Sequence, residues 1–290
     1  PAQLSSSYVG SVTVSFTTVN PIPVGGKILV TFGGGFAFDS GAATAASSAT
    51  MDGTLAVGIS GSIVTITRSG GTSQAAAAEA LTLTNIRNPQ VSGSTGNYQI
   101  KTQNSADATI VQDLAVAADT ITAGALSATN VQPASLVAGA SGSVTVSFTT
   151  TNPIPADGKM AVGFPATFAF NNGAATAATS ATMDGTLAAA ISGSTVTITR
   201  SGGTSQAAAA ETIVLSNVRN PQVSGTPGAV YTIETKDAVD TLIDSDMNVA
   251  ADTFTAGALS SISVTHASLV AGATPNTTIA FTTANPAPVN

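Results

Sequence analysis

Apolar and polar positions alternate along most of this chain. Val144, Val146 and Phe148 are separated by Thr145, Ser147 and Thr149, and a period of two marks a strand with one buried face. Met160, Val162 and Phe164 resume the pattern, followed by Phe168 and Phe170. Further strands are predicted at Leu187–Ile191, at Thr195–Thr199 with Val196 and Ile198 inward, around Ile213, Leu215 and Val218, at Tyr231–Thr235, and over Met247–Phe254. Turn signals separate them. Asp184-Gly185 predicts a hairpin turn, Ser192-Gly193-Ser194 and Ser201-Gly202-Gly203 predict two more, and the Asn152–Pro155 loop (NPIP) removes two backbone donors and must interrupt pairing. The run Gln206–Glu211 (QAAAAE) breaks the pattern. It favours helix but is too short to hold one alone, so a helical turn or crossover between sheets is expected there. Eight or nine short strands with regular turns predict an all-β fold, an antiparallel sandwich.

The pattern occurs twice. Gly10–Gly93 aligns without gaps on Gly142–Gly225, with 64 identities in 84 positions. Beyond one inserted residue, Val116–Leu126 (VAADTITAGAL) matches Val249–Leu259 (VAADTFTAGAL). A third copy opens at Ala267 (ASLVAGA, as at Ala134) and stops at Asn290 inside an NPAP loop. The expected organisation is one repeat over 1–127, a second over 128–260, and the opening strands of a third over 261–290. A unit of this length can enclose its own core. Near-identity in series suits spacers, stalks and fibres, in which length is the function, better than enzymes.

Composition sharpens this picture. Only 8% of residues are charged, against about 25% in ordinary soluble domains. Ser and Thr number 76 of 290, yet 43% of the chain is hydrophobic, so a core can form beneath a surface built of hydroxyls. Such a surface lacks the usual charge protection against self-association. Covalent glycans or packing against neighbouring subunits would compensate, and both fit an extracellular or cell-surface location. The net charge of −7 and scattered basic residues argue against nucleic acid. Zero Cys excludes disulfides and thiolate chemistry, and no run of about 20 apolar residues spans a membrane.

Segments such as SVTVSFTTTNPIPADGKMAVGFPATFAF, TITRSGG and NPQVSG resemble tandem Ig-like β-sandwich repeats of very large microbial surface, adhesion or filament proteins. The resemblance covers nearly the whole chain. It implies an extracellular modular rod or filament and carries no catalytic residue or cofactor with it.

Candidate chemistry is sparse. His266 is the single histidine, its counterpart is Pro133, and any Ser-His-Asp triad would have to use it; a linker residue is the simpler reading. Asp244-x-Asp246-x-Asn248, beside Asp237 and Asp240, has the oxygen-rich spacing of a calcium loop but lacks its glycine and distal Glu. Copy one offers Val111, Asp113 and Ala115 at those places, so a solvated acidic strand edge is the competing reading. The Asn-Pro-x-Pro loops are rigid connectors, or else modification sites on Pro21, Pro23, Pro153 and Pro155. Asn276 opens the one Asn-x-Thr sequon, and Thr149 and Thr150 are candidate O-glycan acceptors. Arg68/Arg200 and Arg87/Arg219 are expected to pair with Asp52/Asp184 or Glu79/Glu211. Gly33-Gly34-Gly35 lacks the Lys of a phosphate loop, and copy two reads Pro165-Ala166-Thr167. The acids Asp52/Asp184 and Glu79/Glu211 could in principle serve a glycosidase, but Asp52 and Asp184 each sit in a Gly turn.

The partial third copy would expose Leu269, Val270, Ile279 and Phe281. Either the polymer continues past Asn290 or these strands complete a neighbouring subunit by strand addition. The expected role is a structural one: the repeating, glycosylated unit of an extracellular fibre or appendage, self-associating into a filament or head-to-tail polymer. The alternative is the stalk of a large adhesin.

Overall fold

The computed structural model describes residues 1–171 and 173–283. It is all-β, with antiparallel strand pairing and no helix among the described residues. Two compact units divide the chain: Pro1–Gly124 with Val239–Ile243, and Ala125–Ala238 with Asp244–Asn290.

In the first unit the strands are β1 (Val9–Thr17), β2 (Lys27–Thr31), β3 (Ala46–Ser48), β4 (Thr54–Ser60), β5 (Ile63–Ser69), β6 (Ala78–Arg87), β7 (Gly93–Ser94), β8 (Tyr98–Gln103), β9 (Thr109–Val116) and β10 (Thr120–Ile121). They form a three-stranded sheet in the order β1-β6-β3, a five-stranded sheet in the order β4-β5-β2-β8-β9, and the short pair β10-β7.

The following strands are β11 (Gly124–Ala125), β12 (Ser127–Pro133), β13 (Ser141–Thr149), β14 (Lys159–Gly163), β15 (Ala178–Ser180), β16 (Thr186–Ser192), β17 (Thr195–Ser201), β18 (Ala210–Arg219), β19 (Tyr231–Lys236) and β20 (Leu242–Val249). One sheet runs β12-β13-β18-β15 and the other β11-β20-β19-β14-β17-β16. Last come β21 (Ser260–His266) and β22 (Thr277–Thr282), which pair with each other.

The alternation has the consequence that physics requires. Val144, Val146 and Phe148 on β13 and Ile213, Leu215 and Val218 on β18 are buried against Met160, Val162, Val196, Ile198 and Ile233 of the other sheet. Removing those apolar faces from water is the main favourable term in folding, at about 25 cal/mol per Å². The first unit repeats this with Val12, Val14, Leu81 and Leu83 facing Ile28, Val30, Val64, Ile66 and Ile100. Aromatic rings close one end. Phe164 packs edge-on against Phe170 and Tyr231, as Phe32 does against Phe38 and Tyr98.

Three sequence expectations need correcting. Gln206–Glu211 is extended, not a helical turn. Gln206 forms a two-way backbone bridge with Ile154, and Ala209 exchanges hydrogen bonds with Thr150, so loop pairing claims the backbone groups that a helical turn would use. Asp184-Gly185 is a turn but not a hairpin. It joins β15 to β16, which belong to different sheets; the tight hairpin is at Gly193-Ser194, where Ser192 faces Thr195. The last strand of the unit starts at Leu242 and ends at Val249, while Phe254 forms a separate bridge with Gly225.

Asn85 and Asn217 interrupt β6 and β18 with positive φ, 58° and 56°. Each side-chain amide donates to a loop carbonyl, Ala43 at 2.8 Å and Ala175 at 2.7 Å. Short amide side chains tolerate this conformation at lower cost than Ala.

Two substitutions test this packing by equilibrium unfolding in urea. Phe148→Ala, which empties a fully buried site, is expected to cost about 3–5 kcal/mol. Asn217→Ala is expected to cost about 1–2 kcal/mol, and Asn217→Gly distinctly less.

Candidate functional site

The most elaborate polar cluster in each unit is built around a buried arginine. Arg200 on β17 is fully buried, and its guanidinium reaches three loops at once. Nε donates to the Asp184 carbonyl at 2.9 Å, Nη1 to the Pro155 carbonyl at 2.9 Å, and Nη2 to both the Asp184 carboxylate and the Thr204 carbonyl. Asp184 also accepts from Thr204 N and Oγ1, each at 2.9 Å. The hydrogen bond from the Thr204 backbone, then the Arg200 guanidinium, holds the Asp184 carboxyl down at about 2. A Cβ on Gly203 would lie 2.5 Å from the Asp184 carboxylate, which is why a glycine stands there. Arg68, Asp52 and Thr72 build the same knot in the first unit. Of the two acid partners expected from the sequence, Arg68 and Arg200 therefore take Asp52 and Asp184.

The other acid has a different role. Glu79 is buried and accepts from Thr50 Oγ1 at 2.7 Å and Gln74 Nε2 at 2.9 Å. Arg87 and Arg219 meet no acid among the described residues. Among the described residues Glu79 and Glu211 make ion pairs with neither arginine, and both Glu211 carboxylate oxygens are buried without a hydrogen-bond partner.

The NPIP loops are tied down by backbone bridges. Ile154 exchanges hydrogen bonds with Gln206 at 2.9 and 2.8 Å, and Ile22 does so with Gln74. Pro21 is exposed, whereas Pro23, Pro153 and Pro155 are half-buried. The third loop, Asn285–Pro288, lies outside the described residues. Thr149 is half-buried, and Thr150 is buried with its hydroxyl held between the Ala209 amide and carbonyl. Asn276 is exposed.

Asp244 and Asp246, two of the three calcium candidates, accept hydrogen bonds from protein donors. Asp244 is fully buried and accepts from Thr151 N at 3.1 Å, Asn152 N at 2.9 Å and Asn152 Nδ2 at 2.5 Å. Burial pushes its carboxyl up from the ordinary value, and the Asn152 and Thr151 donors oppose that rise. Asp246 accepts from Thr129 Oγ1 at 2.6 Å and from Asn248 N at 2.9 Å. Among the described residues no group of three or more His or acidic side chains is placed to hold a metal. Asp244 therefore clamps the NPIP loop of the second unit. Val111 stands in its place in the first unit, where Asn20 is exposed.

His266 is exposed, and its Nδ1 lies 2.8 Å from Thr277 Oγ1 across the β21–β22 pair. Leu269, Val270, Ile279 and Phe281 are exposed around the same pair. One repeated pair escaped the sequence reading. Tyr98 donates to Asp119 at 2.9 Å, and Tyr231 lies 3.5 Å from Asp252. Burial, then the Asp119 carboxylate, pushes the Tyr98 hydroxyl up to about 12. The near-identity of VAADTITAGAL with VAADTFTAGAL was the available signal, since both aspartates lie in it.

Set beside known proteins, the chain matches no family model and no curated protein. Among solved structures it resembles a "Putative membrane anchored protein from Corynebacterium diphtheriae", with a TM-score of 0.30 and 10% identity over 89% of this chain and 90% of that one. A likeness at that level carries no argument about fold detail or function. No helix among the described residues is long and apolar enough to cross a membrane.

The two aspartates predict opposite pH responses, readable from urea midpoints between pH 2 and 7. Asp184 titrates lower in the folded state than its ordinary 3.8, so its contribution is present above 3.8 and lost as pH falls toward about 2. Asp184→Asn should flatten that acid limb. Asp244 titrates higher when folded, so its contribution is present below 3.8 and lost as pH rises through its raised value. A carboxyl-carbon NMR titration placing Asp244 at or below 3.8 would contradict this.

Proposed function

We propose that this chain is a structural protein: tandem Ig-like β-sandwich modules that serve as the repeating unit of an extracellular fibre, filament or surface appendage and carry covalent glycans. The observation that carries the reading is the duplication itself. Two copies sharing 64 of 84 aligned residues keep the same core positions and the same Arg-Asp-Thr knot. The Arg-Asp-Thr knots tie loops to the fold, and their groups are occupied by one another.

A hydroxyl-rich surface with 8% charged residues suits lateral packing or glycan cover better than free diffusion. The half-buried Pro23, Pro153, Pro155 and Thr149 and the buried Thr150 leave Pro21 and Asn276 as the more accessible candidates for modification. On this reading the chain catalyses nothing, and each unit contributes length.

Immunogold electron microscopy of producing cells tests the proposal. Label is expected at regular intervals along an extracellular fibre, and mass spectrometry of the isolated material should find hexose-modified peptides. Label confined to the cell interior would end the structural reading. Label on isolated rods with a distinct tip would favour the adhesin stalk.

A further inference from the structure

Arg87 and Arg219 are the recurring side chains that neither the core nor the polar knots employ. Their backbones are fixed: Arg87 exchanges hydrogen bonds with Ala37 at 2.8 and 3.0 Å, and Arg219 with Ala169 at 2.7 and 3.0 Å. Nε of each is buried with no acceptor, and no ion pair joins either arginine to an acid among the described residues. Each lines a cleft within its own unit. Arg87 does so with Pro89, Gln90 and Ser92 around about 490 Å³, and Arg219 with Pro221, Gln222 and Ser224 around about 580 Å³. About half of each lining comes from the repeated RNPQVSG stretch. A partly buried guanidinium without a counter-charge calls for a planar oxyanion, which two of its N–H groups can hold together.

We propose that each cleft receives a carboxylate from a second copy of this chain, clasped by Arg87 or Arg219, so that copies associate through one such contact per unit. Charge selects the occupant. Fifteen acids stand against eight bases, giving −7, so a polyanion such as nucleic acid or a polyuronate meets net repulsion along its whole length. A second copy instead offers isolated carboxylates on an uncharged hydroxyl surface, with long-range repulsion screened beyond about 8 Å at physiological salt. Asp113, on the outermost strand of its sheet, and Asp157 are exposed and make no ion pair among the described residues. This contact specifies how the proposed building units pack and so rests on that reading. Its test is made in solution and leaves cellular location to microscopy.

Sedimentation velocity on the full 290-residue chain decides. Reversible self-association is expected at about 0.15 M salt and should weaken toward 1 M. Arg87→Gln with Arg219→Gln is expected to weaken it about tenfold, with circular dichroism unchanged, while Lys101→Gln leaves it intact. Should the double variant not fold, malonate on the wild-type chain replaces it and should dissociate copies more than chloride of equal ionic strength. A chain that stays monomeric at every concentration overturns the proposal. So does association indifferent to both the arginine variants and malonate, or clefts that bind a polyuronate and not a second copy.

Discussion

A buried guanidinium is the constraint around which each unit is arranged. Arg68 and Arg200 sit with no exposed surface at all, and a charge so placed is tolerated only if nearly every N–H finds an acceptor. Meeting that demand recruits carbonyls from the NPIP loop and from the Ser-Gly-Gly-Thr turn, with an aspartate on the Asp-Gly turn as counter-ion. Three loops that would otherwise be free to drift are thereby fixed relative to β17 or β5. Because these loops join strands of different sheets, the arginine also fixes how the two sheets register on each other.

The rest is hydrophobic alternation. A strand with Val and Phe on one side and Thr and Ser on the other has one way to bury its apolar face, and two such sheets enclose one core. The polar face is unusual in being almost uncharged. Hydroxyls satisfy water well but do not repel neighbours as like charges do. Repetition multiplies whatever weak contact each unit makes, and duplicated clefts with duplicated arginines are the natural place to look for it.

The two units differ where their sequences diverge, which shows how local the tuning is. Asp244 replaces Val111, and with that exchange Asn152 becomes fully buried and clamped while Asn20 is exposed. One buried carboxylate, costly to desolvate and held by three donors, changes the setting of a loop whose Pro and Ile positions are identical in both copies.

Much of this was legible beforehand. The period of two located β13, β14, β16, β17, β18 and β19 but not the short β15, and the 64 identities revealed the duplication before any fold was known. The pairing of Arg68 and Arg200 with acids followed from the scarcity of charge. The hairpin placed at Asp184-Gly185 and the helical turn at Gln206–Glu211 did not hold. Each failed for one reason: the partner of a backbone or side-chain polar group lies tens of residues away, and local sequence does not encode it. Asp-Gly can turn a chain within a sheet or between sheets, and only the destination of the next strand decides. What the amino-acid order determined was which faces must be hidden from water. What tertiary structure decided was where each polar group found its partner, because hydrogen bonding is directional and depends on position, whereas burial of apolar surface is not.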